Sequence, residues 1–315
     1  MVNQNKMNEW ITETIAHFKE IMPAIDIQYP EICILNDDDE LDVRNSIVER
    51  IQSPQKRIMI PCPMEAIHGS LGDAIIIYQK YGTNKKTALK DDKAEFQHLL
   101  LHELGRFFAI NMECPGENLF RYIDQKLHFD DFSSQLGYWF WNEFIAEVIA
   151  CHCDPDTDID WASSDWEPVK TELSTLLCST FSNYEDFIDQ YALARYYAKL
   201  LTGKKVTSFL EAVNSGILTV KTTVNGKEKT VPFNKAGIDP TFKSAVPTFY
   251  HRLLNEMQKI LEVQVSKELY WETDLEFVTK LGYIIEDLRN IKLMHSSQDT
   301  FGQLLQKLSG ASDND

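Results

Sequence analysis

The residues best suited to chemistry fall in one short stretch, Glu95-Phe-Gln-His98-Leu-Leu-Leu-His102-Glu103-Leu-Gly-Arg106. Residues four apart share one face of an α-helix, so His98, His102 and Arg106 form a single polar stripe that Glu95 extends by a turn. The other faces carry Phe96, Leu99, Leu100, Leu104 and Phe108, which makes a helix of this sequence a buried one. Buried polar groups need partners. Two imidazoles at i and i+4 can converge on one metal ion.

A second apolar stretch supplies the partners. Trp139-Phe-Trp-Asn142-Glu143-Phe-Ile-Ala-Glu147-Val-Ile-Ala150 is polar only at Asn142, Glu143 and Glu147. Glu143 and Glu147 are again four apart. Two carboxylates on a buried helix require a cation, a metal ion or strong donors. The stripe of His98, His102 and Arg106 is complementary to them.

In this pair of helices the sequence resembles the gluzincin branch of the zincin metallopeptidases, and minimal zincins of the ImmA/IrrE type in particular. Their active helix carries His-Glu-x-x-His and a following helix carries Asn-Glu-x-x-x-Asp. The counterparts here are His102-Glu103-Leu-Gly-Arg106 and Asn142-Glu143-Phe-Ile-Ala-Glu147, within a similarity running from Ile58 to Cys151, about a third of the chain. The resemblance implies zinc on His102 and Glu143, with Glu103 as general base. Glu147, in place of Asp, would orient the His102 ring from behind. It also implies that the two helices pack side by side.

Arg106 departs from the pattern, because it stands where the second ligand histidine belongs and guanidinium has no lone pair to give a metal. Three readings stand side by side. Arg106 occupies the metal position, forking to Glu143 or Glu103, in a degenerate metallopeptidase relative that binds a protein or peptide partner. Alternatively His98 completes a zinc site with His102 and Glu143, and the chain is an active peptidase. Alternatively there is no zincin ancestry and the chain is a non-enzymatic interaction module. Zinc is the one cofactor implied.

Other motifs are weaker. Cys151-His152-Cys153 has a spacing that fits neither common zinc pattern. The aspartates between His152 and Trp166 lack the Gly and closing Glu of a calcium-binding loop.

The elements that must carry these helices give an α+β expectation. Helical spacing from Trp10 stops before Pro23, and Leu41 to Ile51 is again helical. Ile32–Leu35, Ile58–Ile60 and Ala74–Tyr78 read as strands. The two apolar helices span about Lys93–Ile110 and Leu136–Cys151. Beyond Trp166 the pattern is mostly helical (169–177, 187–201, 206–213, 249–263 and 275–291). Asn225-Gly226 beside Val220, Thr222 and Val224 marks a hairpin. The expected organisation is a zincin-like domain over 1–155, a few-stranded sheet packed on two buried helices, and a mostly helical domain over 156–315.

Among 315 residues, 31 are basic and 48 acidic, a formal net charge of −17. That argues against nucleic acid and against anionic membranes. There is no apolar run of spanning length and no signal-like start, and six cysteines read as reduced thiols, so a cytoplasmic protein is expected.

Overall fold

In Gly72-Asp-Ala-Ile-Ile-Ile-Tyr78 a run of β-branched residues is long enough for a strand and apolar on both faces, as a central strand requires. The computed structural model describes residues 4–22, 29–35, 40–53, 64–78, 92–113, 132–154, 194–204, 214–216, 219–224, 227–235, 248, 251–259, 262 and 280–285. Its elements are α1 (Gln4–Ile21), β1 (Glu31–Leu35), α2 (Glu40–Arg50), β2 (Met64–Gly69), β3 (Gly72–Tyr78), α3 (Lys93–Glu113), α4 (Phe132–Cys153), β4 (Thr219–Val224) and β5 (Lys227–Pro232). Residues 194–201, 251–259 and 280–285 are also helical. The fold is α+β, mostly helical, with a small mixed sheet.

That sheet has the order β1-β3-β2, with β1 parallel and β2 antiparallel to β3. Strand periodicity sorts its side chains. Ile75 and Ile77 face the core of α1, α3 and α4, whereas Ala74, Ile76 and Tyr78 face α2 through Ile47, Val48 and Ile51. The main core continues through Ala194, Tyr196, Tyr197, Leu253, Met257 and Leu281, so later helices share it. The strand beside β3 is Met64–Gly69 and was not expected, because Glu65 and His68 interrupt its apolar pattern. Both are buried; Glu65 meets Arg44 of α2, and His68 meets Asp73 of β3. The strand expected at Ile58–Ile60 lies outside the described residues, as do the helices expected at 169–177 and 206–213. β4 and β5 bracket Asn225-Gly226, with Val224 paired to Lys227.

Two local features set the helix pair. Asp92 caps α3, its Oδ1 accepting from the Ala94 and Glu95 amides at 3.0 and 3.2 Å. Gly105 lets α4 approach, since a Cβ there would lie 2.8 Å from the Ala146 carbonyl oxygen and 3.0 Å from Ile149 Cβ. Among the described residues, no helix is long and apolar enough to cross a membrane.

Candidate functional site

The polar stripes of α3 and α4 interleave. His98 Nε2 lies 2.9 Å from Glu147 Oε1, and His102 Nδ1 lies 2.6 Å from Glu147 Oε2. His102 Nε2 is 3.1 Å from Glu143 Oε1. One turn on, Arg106 Nη2 donates to Glu143 Oε2, and its Nη1 sits 3.4 Å from Glu103 Oε2. Numbers rise along α3 as they fall along α4, so the helices run antiparallel. All six residues singled out in the sequence therefore meet along one seam.

A third stripe completes the seam. Arg195 and Lys199, four apart in the helix at 194–201, face the same two carboxylates. Arg195 Nε donates to Glu143 Oε1, and Lys199 Nζ is 3.5 Å from Glu147 Oε1. Two arginines and a lysine thus oppose the carboxylates of Glu103, Glu143 and Glu147. Sequence reading missed Arg195 and Lys199, although their i,i+4 spacing within Ala194-Arg-Tyr-Tyr-Ala-Lys-Leu-Leu201 matches that of the acids.

The electrostatics follow from this packing. Burial alone pushes the Glu143 carboxyl up, but Arg106, Arg195 and His102 hold it well below the usual carboxylate range. Glu147 is also held well below that range against burial, by Lys199, His98 and the imidazole hydrogen bonds. For His102 burial favours the neutral ring, and Arg195 adds to that. The Glu143 charge and the hydrogen bonds to Glu143 and Glu147 outweigh both, and the imidazole is shifted up. The protonated ring donates from Nδ1 to Glu147 and from Nε2 to Glu143. The neutral ring, keeping Nδ1–H, accepts at Nε2 from Arg106 Nη2, 3.2 Å away.

Several buried atoms stay without hydrogen-bond partners, Glu103 Oε2 and Asn142 Oδ1 among them. On the sheet side His68 Nδ1 meets Asp73 Oδ1 at 2.9 Å, and its ring stacks on Phe107 of α3 at 6.2 Å between centroids.

The residues that match the zincin pattern do not suit that family's metal. A guanidinium already engages the Glu143 carboxylate, and Arg106 offers no third donor. Among the described residues, one group of three side chains does meet the geometry for holding a metal ion. It is buried and consists of His98, Glu147 and Cys151, whose donor atoms all lie within 4.8 Å of one another. It shares only His98 with the ligand set expected from the sequence. Cys151 continues the stripe of Glu143 and Glu147 by one turn, whereas Cys153 packs into the apolar core. In comparisons with known proteins, the chain matches no family model, no curated protein and no solved structure.

Proposed function

We propose that this chain is a zincin-like protein without peptidase activity. In this reading a guanidinium–carboxylate–imidazole network stands where the family's enzymes hold zinc, and the protein binds a protein or peptide partner in the cytoplasm. The observation that supports it is the environment of Glu143. The carboxylate in the acidic-ligand position accepts from Arg106 and Arg195 and also faces His102. Two fixed positive charges on that carboxylate repel a divalent cation and compete for its oxygens. Glu103, in the general-base position, faces Arg106. The strongly acidic composition favours a basic or neutral peptide surface as partner over nucleic acid.

The test is activity and its dependence on Glu103. The purified full chain is expected not to cleave unfolded protein or peptide libraries, with or without added zinc. Chelator-sensitive cleavage that disappears in Glu103→Gln would overturn the reading. Arg106→His restores the family's ligand set, and zinc is then expected to raise its melting temperature more than that of the unmodified chain.

A further inference from the structure

His98 lies about two helical turns from Arg106, and with Glu147 and Cys151 it stands at the other end of the seam. We propose that these three side chains form a binding site for a divalent transition-metal ion, with His98 Nε2, a Glu147 oxygen and Cys151 Sγ as ligands. Mixed N, O and S donors suit zinc best among the common ions. The proposal goes beyond zincin ancestry and does not need it, because it stands on the register of α3 against α4.

Two observations carry it. All three ligands are buried, and their donor atoms fall within 4.8 Å of one another. A tetrahedral zinc shell, with bonds of about 2.0–2.3 Å, places donors roughly 3.3–3.8 Å apart, so small side-chain rotations close the set. The second observation is behind the ligand. Asp154 Oδ2 lies 3.3 Å from His98 Nδ1, placed to accept from Nδ1–H when a metal ion takes the Nε2 lone pair in place of the present Nε2–H contact with Glu147.

Lys199 sets the sign of the test. Its ammonium is 3.5 Å from the Glu147 oxygen that also faces His98, so it is the resident counter-cation a metal ion must displace. The probe is cobalt(II), titrated into the full chain and read by the thiolate-to-cobalt charge-transfer band in the near ultraviolet. One equivalent is expected to bind with this band in the unmodified protein and in Cys153→Ser. The band is expected to vanish in Cys151→Ser and in His98→Gln. Lys199→Met removes the competing charge, so cobalt is expected to bind about tenfold tighter, a gain that misfolding cannot mimic. A band that survives Cys151→Ser, no binding in the unmodified protein, or weaker binding in Lys199→Met would each overturn the proposal. Cobalt bound without the sulfur band would point to His102 and Glu143 and would overturn the arginine-for-metal reading as well. Absence of binding would leave that reading intact.

Discussion

Two buried ion networks lie on opposite sides of the sheet, and they are assembled differently. On the α2 side Arg44 meets Glu65 through two parallel bonds, Nε to Oε2 at 3.0 Å and Nη2 to Oε1 at 2.7 Å. Tyr78 Oη donates to Glu65 Oε2 at 2.7 Å. The geometry is bidentate. On the helix side Glu143 is shared by Arg106, Arg195 and His102, and Glu147 by His98, His102 and Lys199. Even so, Glu103 Oε2 and Asn142 Oδ1 are left without hydrogen bonds. A buried polar atom without a partner costs about 1–3 kcal/mol. A bidentate pair of this kind has the form of a clamp between α2 and β2. The shared network instead ties two carboxylates of α4 to five side chains from two other helices.

The largest effect should come from breaking the closed pair. Arg44 is 1% exposed, so Arg44→Ala removes the bidentate partner of the buried Glu65 charge and should cost about 3–5 kcal/mol in chemical denaturation. The double change Arg44→Met with Glu65→Leu should recover most of it, because no buried charge then remains. On the helix side the same truncation should be milder. Arg106→Ala should cost about 2–3 kcal/mol, since its side chain is 21% exposed and Arg195 still serves Glu143. Arg195, at 37% exposure, should cost only about 1 kcal/mol when truncated, because solvent screens the loss. Removing both arginines should cost more than the sum, as Glu143 then keeps only His102. Equal costs for Arg44→Ala and Arg195→Ala, or strict additivity of the arginine pair, would erase the contrast.

A smaller effect is the pH dependence of the open network. Glu143 and Glu147 titrate below the usual carboxylate range when folded. Their stabilisation is complete above the unfolded value of about 4.3 and is lost as pH falls through the folded values. His102 is shifted up, so its stabilisation is complete below about 6.5 and is lost as pH rises through the folded value. Melting temperature should therefore be highest between about pH 5 and 6.5, with a decline on each side. The alkaline decline should flatten in His102→Gln. An unchanged alkaline limb in that variant would remove His102 from the network's proton balance.

Much of the fold was legible because it is written in short-range periodicity. The apolar runs of α3, α4 and β3 and the Asn225-Gly226 signal each need only neighbouring residues to be read. β2 was not legible. Glu65 and His68 look like surface residues until Arg44 and Tyr78 are seen to meet the Glu65 carboxylate and Asp73 the His68 Nδ1, all from other elements. The candidate site divides the same way. His98, His102 and Arg106 fall on one face, and Glu143 and Glu147 on another, from spacing alone. Cys151 was read with Cys153, its neighbour in sequence. On a helix residues two apart do not face each other, and Cys151 instead joins His98 and Glu147.

Helical spacing by itself determined that this protein carries buried stripes of imidazole, guanidinium and carboxylate. Only the tertiary structure decided which charge answers which. The antiparallel register of α3 and α4, close at Gly105, sets His102 between Glu143 and Glu147. The helix at 194–201 then brings Arg195 and Lys199 from some 50 residues away in the chain. The physical reason is range. Periodicity acts over a few residues and is visible in any window of sequence. Charge pairing acts through space and depends on packing that no local window contains.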